Sequence, residues 1–164
     1  MTDLMIVGGG AAGLMAAICF LEECPQGKVK LLEAGERVGK KLLSTGNGRC
    51  NLTNLRAAAR DYAPADVSGV LNQLPPQRLI EKMEEMGLPC REESEGRVYP
   101  ASDAASSVLD TLRLTAEHLG AEEVTGFEAV RVRRDAEGFV TEAADGRRER
   151  AKLLLLTTGG RAAS

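Results

Sequence analysis

A glycine-rich run near the N-terminus is the first feature that could do chemistry. Residues Gly8-Gly9-Gly10-Ala11-Ala12-Gly13 match the pattern G-x-G-x-x-G, between an apolar run at residues 4–7 and an Ala- and Leu-rich segment. Gly8 would allow a tight turn, Gly10 a close approach of a pyrophosphate to the backbone, and Gly13 close packing of a helix on a strand. Free N–H groups at the start of that helix would face the phosphate charge.

An acidic residue, Glu33, ends the next apolar run, twenty residues after Gly13. A carboxylate at this place can accept hydrogen bonds from an adenosine ribose, and it would repel a 2′-phosphate, so NADP is disfavoured here. The alternative is a turn that happens to contain glycines, which the strand–turn–helix context disfavours.

A second polar stretch, GKKLLSTGNGRCNLTN at residues 39–54, shows little periodicity. Its glycines allow left-handed backbone and close approach of a ligand. Its Asn and Thr side chains can contact the polar edges of a ring, and Arg49 and Lys40 offer cations for a phosphate or for the negative charge of a reduced ring. From composition alone, a mobile polar loop remains the alternative.

The elements that must position these residues follow from the hydrophobic pattern. Residues 4–7 and 28–33 predict buried parallel strands, and residues 11–23 predict the helix between them, which together form a βαβ unit. Beyond the polar stretch we predict two short helices at residues 65–87, a hairpin at residues 90–99, and a further helix at residues 103–119 that Asp103 caps. Three strands at about 124–133, 139–143 and 151–157 then follow in a meander, and the last of them is apolar on both faces at residues 153–156. The predicted fold class is therefore α/β, a parallel sheet with helices and a β-meander.

Composition and charge exclude several classes of protein. The net charge is −3, and no basic face suggests nucleic acid as a partner. The four cysteines contain no CxxC pair, so neither a metal site nor a disulfide framework is indicated. No apolar run approaches the roughly 18 residues of a membrane span. We expect a cytoplasmic protein with no membrane partner.

The polar stretch resembles the signature of the YhiN/BaiN-like flavoproteins, a family of FAD-containing oxidoreductases linked to NAD(P)H, and GNGRCN is its most specific part. Four further segments fit the same family in the same order: VGGGAAG, Glu33-Ala34, RVYPAS at residues 97–102 and LLLLTTGG at residues 153–160. The resemblance spans essentially the whole chain. It implies a Rossmann-like FAD-binding domain of the glutathione-reductase-like type.

The resemblance also assigns cofactor contacts position by position. Five groups of residues are implied in FAD binding: the pyrophosphate loop, the ribose acid and its neighbour, the loop beside the pyrophosphate and isoalloxazine, the strand beside the adenine, and the segment that returns to the cofactor. In that order they are Gly8, Gly10, Ala11, Ala12 and Gly13; Glu33 and Ala34; Lys40, Ser44, Thr45, Gly46, Asn47, Gly48, Arg49, Cys50 and Asn51; Ala129 and Val130; Thr158, Gly159 and Gly160. Thr157 stands where the family usually has Ala.

The function implied is transfer of reducing equivalents from NAD(P)H through FAD to an unknown small-molecule substrate, with no catalytic side chain assigned. Family members are much longer, so we expect residues 1–164 to be the N-terminal part of a single FAD-binding domain, without the inserted substrate domain and the C-terminal segment. The alternative is a truncated FAD- or nucleotide-binding module without turnover. Apolar surface left uncovered near Thr158-Gly159-Gly160 would favour self-association.

Cys50 lies inside the GNGRCN motif and could be imagined as a redox thiol. Disulfide reductases of this broad class use two cysteines a few residues apart, and no partner follows Cys50. A structural or flavin-contacting role is therefore favoured. His118, the only histidine, lies beside the apolar stripe of its predicted helix, which favours a solvated side chain over a general base.

Overall fold

Strand β1, Thr2–Val7, ends directly before the glycine-rich run. In the computed structural model, which describes residues 1–63 and 65–160, β1 leads into helix α1, Ala11–Glu23, and strand β2, Val29–Leu32, pairs with β1 in parallel. This confirms the βαβ unit. The remaining helices and strands are β3 Thr53–Asn54, α2 Ser68–Gln73, α3 Pro76–Glu85, β4 Cys90–Glu92, β5 Arg97–Pro100, α4 Ala105–His118, β6 Glu122–Val124, β7 Ala129–Asp135, β8 Gly138–Ala143 and β9 Arg148–Leu156.

The chain forms two compact units. Unit 1 comprises Met1–Leu42 and Leu112–Ser164, and unit 2 comprises Leu43–Thr111. Whether residues 1–164 belong to one FAD-binding domain stays a prediction.

Unit 1 is built on a six-stranded sheet in the order β6-β2-β1-β9-β8-β7. The first four strands are parallel, and β7, β8 and β9 form an antiparallel meander. Strand β9 belongs to both parts, because its first half pairs with β8 and its second half, from Ala151 to Leu156, pairs with β1. The mixed α/β class and the meander predicted from the sequence are therefore confirmed.

The core of unit 1 follows from the apolar pattern of its strands. Helix α1 buries one face, with Leu14, Ala17, Ile18 and Leu21 almost fully enclosed. A separate cluster joins the strands to the meander: Met5, Val7, Leu32, Phe127, Ala143 and Ala151. The carboxyl ends of β1 and β2 therefore rest on packed side chains, which fixes where the glycine run and Glu33 lie.

Unit 2 contains a small antiparallel sheet in the order β3-β5-β4, together with helices α2 and α3. The β4–β5 hairpin and the two short helices were predicted, and Pro76 occupies the first turn of α3 as its fixed φ favours.

One prediction about strands is wrong. The segment at about 124–133 is not a single strand but two, β6 and β7, and β6 pairs in parallel with β2. Gly126 takes a positive φ of 62° and the following Phe127 is buried, so the chain turns between the two strands. Valine and charged residues occur on both sides of Gly126, so the sequence resembles one continuous strand.

Candidate functional site

A cavity of about 390 Å³ opens in unit 1 where β1, β2 and β9 end. This volume lies within the range of about 300–1,000 Å³ that small-molecule sites usually have. Its walls come from the glycine run, the end of β2, the segment after Val38, the start of β7 and the end of β9: Val7, Gly8, Gly9, Gly10, Leu32, Glu33, Ala34, Gly39, Lys40, Lys41, Phe127, Glu128, Ala129, Thr157, Thr158 and Gly159. Ligands of open α/β sheets bind at this edge, outside the carboxyl ends of the strands.

The three glycines of the motif differ in what an added side chain would meet. Gly8 has a φ of 111°, and a Cβ there would lie 2.5 Å from the Thr157 carbonyl oxygen. A Cβ on Gly13 would collide with the Gly8 carbonyl oxygen, because α1 packs directly against the turn. A Cβ on Gly10 would meet no protein atom within 4 Å.

No contact within the protein therefore requires glycine at position 10. Its φ of −80° is open to any residue, and it immediately precedes Ala11, the first residue of α1. The exposed first turn of α1 has no acidic side chain, so its free N–H groups offer an anion site. Open space beside Gly10 fits a pyrophosphate that approaches this backbone.

Glu33 is anchored by two backbone N–H groups. Gly9 donates to its Oε2 and Gly35 to its Oε1, each at 2.8 Å. A carboxylate oxygen can accept more than one hydrogen bond, so the half-buried Glu33 still has acceptor capacity toward ribose hydroxyls. Ala34, beside it, is exposed in the cavity wall.

The segment after Val38 brings positive charge to the same cavity. The Gly39 N–H donates to the Gly9 carbonyl at 2.7 Å, which ties this segment to the glycine run. Lys40 follows at once, exposed and in the cavity wall. It can therefore complement a phosphate.

The segment before β7 and the end of β9 complete the cavity wall. Phe127 is buried, and Ala129 and Gly159 line the wall, whereas Val130 is 62% exposed and lies outside the lining. Thr157 donates its hydroxyl to the carbonyls of Val7 and Gly8, at 3.1 and 2.8 Å, and so holds the end of β9 on the glycine turn.

The second predicted contact region, Ser44–Asn51, lies in unit 2. Four residues of this loop have positive φ. The glycine content predicts this for Gly46 and Gly48, but not for Asn47 and Cys50. Cys50 N–H donates to the Thr45 carbonyl at 3.0 Å, which closes the loop. Residues 44–48 and Asn51 are exposed, while Cys50 is buried.

Arg49 pairs with two carboxylates that lie far from it in the sequence. Its Nε donates to Asp103 Oδ1 at 2.9 Å, its Nη2 contacts Glu93, and its guanidinium lies 4.1 Å from the centre of the buried Tyr99 ring. The Arg49 guanidinium holds the pKa of Glu93 and of Asp103 below their usual values, chiefly through these hydrogen bonds. Because its partners lie 44 and 54 positions away, no local pattern could have revealed them.

A second cavity of unit 1 lies apart from the glycine run. A depression of about 500 Å³ opens at the amino ends of the strands, where Lys30 pairs with Glu149 and Glu122. It contains none of the glycine run. Among residues 1–63 and 65–160, no set of three or more His, Cys, Asp or Glu side chains could hold a metal ion. No described helix has the length and apolarity to cross a membrane.

The glycine turn, the acid at the end of β2 and the cavity between them define a Rossmann-type dinucleotide-binding domain. Residues 2–164 match the family model described as "HI0933-like protein Rossmann domain", so the chain belongs to that family of flavoprotein Rossmann domains. The resemblance inferred from the sequence is thereby confirmed.

Two curated relatives and one solved structure illustrate the similarity. The chain is 38% identical to a 3-dehydro-bile acid delta(4,6)-reductase of Clostridium scindens, over 99% of its own length and 40% of the relative's. It is 27% identical to a ribosomal RNA dihydrouridine synthase of Haemophilus influenzae, over 97% of its own length and 40% of that protein. The crystal structure of Thermovibrio ammonificans THI4 has the same fold, with a TM-score of 0.67 and 20% identity over 98% of this chain and 58% of that one. The chain thus spans about 40% of the curated relatives it matches.

Proposed function

We propose that this chain is the FAD-binding part of an oxidoreductase in which NAD(P)H reduces FAD and the reduced flavin serves a small-molecule substrate. The observation that carries the proposal is the open space at Gly10, beside the helix start and in the same cavity wall as Glu33. Glycine there has no packing reason, and a bound pyrophosphate supplies one.

In this proposal the residues of unit 1 hold the adenosine diphosphate half of the cofactor. The N–H groups at the start of α1 and Lys40 face the pyrophosphate, Glu33 accepts from the ribose, and Ala129 lies beside the adenine. Residues 44–51 contact the isoalloxazine ring, as the sequence resemblance implies. The cofactor, when bound, supplies the redox chemistry, and the protein supplies binding, orientation and charge.

A small-molecule acceptor suits this chain better than RNA. The relative named for a bile-acid substrate is 38% identical, against 27% for the one named for ribosomal RNA. The chain also carries a net charge of −3, which gives no electrostatic attraction to a polyanion. We therefore assign no nucleic-acid partner.

Calorimetric titration of the chain with FAD, ADP, FMN and NADP tests the cofactor. We expect FAD to bind most tightly and ADP to retain much of the affinity, because both carry the adenosine that Glu33 holds. FMN lacks that adenosine, so FMN that binds as tightly as FAD would contradict the proposal. Anaerobic mixing of the FAD-loaded chain with NADH or NADPH then tests the donor: bleaching of the flavin absorbance supports it, and an unchanged spectrum favours a binding module without turnover.

The matched variant for the same titration is Gly10→Val. Its side chain would fill the open space, so FAD and ADP should both bind at least tenfold more weakly, since roughly 1.4 kcal/mol corresponds to a factor of ten. The melting temperature should fall only slightly, because no atom is displaced and the one cost is that valine is a poorer N-cap than glycine. Gly69→Val is the control, since a side chain at Gly69 also meets open space but lies in α2 of unit 2. Unchanged ADP binding in Gly10→Val would contradict the assignment.

A further inference from the structure

Four charged side chains of unit 2 form a closed set of ion pairs, the Arg49 network: Arg49, Arg91, Glu93 and Asp103. Arg49 contacts both carboxylates, and Arg91 Nη2 does the same, at 2.8 Å from Glu93 Oε1 and 2.7 Å from Asp103 Oδ2. Two guanidinium groups thus meet two carboxylates, and the charges balance.

This network joins three separate segments of unit 2. Arg49 belongs to the loop Ser44–Asn51, Arg91 and Glu93 lie on or just after β4, and Asp103 follows β5. The face of the Arg49 guanidinium also covers Tyr99 on β5. Arginine can do both at once, because its planar fork binds carboxylates and its face stacks on an aromatic ring.

The backbone beside the network is strained. Cys50, next to Arg49, has a φ of 59°, and Asp103 has a φ of 55°. Non-glycine residues persist in this region when the surrounding structure over-determines them, and such strain is concentrated at functional sites. Here the Arg49–Asp103 pair holds both strained positions together.

We propose that Arg49 is a positioning residue, which keeps the loop Ser44–Asn51 in its left-handed conformation so that the loop receives the isoalloxazine end of FAD. This inference rests on the proposed function. The sequence predicts instead that Arg49 offers a cation to the cofactor. The positioning role replaces that prediction, because the Arg49 charge is already balanced by Glu93 and Asp103. Lys40 remains the cation beside the glycine run.

The two roles predict opposite results for Asp103→Asn. If Arg49 served directly as a cation, loss of a neighbouring carboxylate would leave FAD binding unchanged or stronger. If Arg49 positions the loop, loss of the Asp103 charge weakens the hold, and FAD affinity falls about tenfold while ADP affinity stays within twofold, since ADP lacks the isoalloxazine. Asparagine tolerates positive φ as well as aspartate does, so the backbone preference is preserved.

The experiment measures FAD and ADP affinities, the visible circular dichroism of the bound flavin, and thermal unfolding, for the wild-type chain, Asp103→Asn and Arg49→Lys. Lysine keeps the charge but loses the fork and the stacking, so it should resemble Asp103→Asn in both affinity and dichroism. Glu95→Gln is the matched control, because Glu95 also has positive φ and pairs with an arginine, Arg97, outside the network. It should leave all readouts unchanged.

Each contrary outcome points to a different failure. Wild-type chain that binds FAD no more tightly than ADP would refute the isoalloxazine contact, and the inference with it. A clear gain of FAD over ADP that persists in Asp103→Asn, with unchanged dichroism, would refute the positioning role alone. Equal losses of ADP and FAD affinity in Asp103→Asn, with lowered thermal stability, would show that the network only supports the fold.

Discussion

At the scale of single residues, Glu33 does more than the sequence indicates. The spacing from Gly13 predicts a ribose acceptor. In the structure, the two carboxylate oxygens of Glu33 also accept hydrogen bonds from the N–H groups of Gly9 and Gly35. The same side chain therefore shapes the glycine run before any ligand arrives. Only a carboxylate, which accepts at both oxygens, can satisfy both donors.

Glu33→Gln should therefore lower both stability and affinity. The amide NH₂ must face one of the two backbone donors, which leaves an N–H unsatisfied at a cost of about 1–2 kcal/mol in the free energy of unfolding. FAD affinity should fall about tenfold or more, because the ribose loses a charged acceptor. Denaturant unfolding and FAD titration measure the two effects. Glu36→Gln, an exposed neighbour, is the control, and a Glu33→Gln protein as stable as this control would contradict the double role.

Among the residues, the placement of the glycine run and Glu33 was predictable because it follows from spacing along one βαβ unit, whereas Val130, also in unit 1, lies outside the cavity lining. Gly8, Gly10 and Glu33 come together at the ends of adjacent parallel strands, and Gly13 packs against the Gly8 carbonyl. The partners of Arg49 were not predictable, since they depend on the pairing of β4 with β5 and on the turn after Pro100. Such long-range pairs leave no periodic signal in a single sequence.

At the scale of elements, Thr157 links β9 to the turn between β1 and α1. The sequence marks it only as a departure from the family's usual alanine. In the structure its hydroxyl reaches the Val7 and Gly8 carbonyls. These carbonyls lie where β1 ends and the glycine turn begins, so the hydroxyl joins two elements that both border the cavity.

Thr157→Val should lower the free energy of unfolding by about 1 kcal/mol, because valine keeps the shape and removes the donor. Thermal or urea unfolding measures the change. Thr158→Val, at the next and exposed position, should leave stability unaltered. Equal stabilities of the two variants would show that the hydroxyl bonds contribute nothing in solution.

The Arg49 network should make the stability of unit 2 fall at acid pH. Both carboxyl groups have folded-state pKa values below their ordinary ones, 3.8 for Asp103 and 4.5 for Glu93, because Arg49 and Arg91 bond to them. A lowered pKa contributes stability that is complete above the ordinary value and is lost as the pH falls through the folded value. The stabilisation is therefore complete at pH 7, begins to decline as the pH approaches these ordinary values, and is lost only as the pH falls through the lower folded-state values.

A series of melting temperatures from pH 7 to pH 2.5 measures this loss. The difference between wild type and the double variant Glu93→Gln/Asp103→Asn should be largest near neutrality and should shrink toward the acid end. Asp110→Asn, an exposed change on α4, is the control. A difference that stays constant over the whole pH range would mean that packing rather than charge accounts for the contribution of the network.

Element existence was predicted more reliably than element boundaries. The strands β1 and β2, helix α1 and the β4–β5 hairpin lie close to where apolar periodicity and turn residues place them. Helix α4 begins at Ala105, one residue later than a cap at Asp103 predicts, and the Asp103 carboxylate pairs with Arg49 and Arg91.

At the scale of the whole molecule, the second half of β9 leaves apolar surface exposed. Leu153, Leu155 and Leu156 are 53%, 38% and 61% exposed. Strand β1 pairs with this half on one side, and β8 reaches only as far as Ala151 on the other. An exposed strand edge with large apolar side chains favours association between chains.

We expect the 164-residue chain to self-associate through this part of β9, as the apolar pattern of residues 153–156 predicted. Multi-angle light scattering over a hundredfold range of concentration should show a mass that rises with concentration. The double variant Leu153→Lys/Leu155→Lys should remain monomeric, because two charges at alternate positions of a strand oppose edge pairing. Leu114→Lys is the matched control, since Leu114 is 62% exposed but belongs to helix α4, and it should associate like the wild type. A wild-type chain that is monodisperse at every concentration, or a control that dissociates as fully as the double variant, would contradict this role of β9.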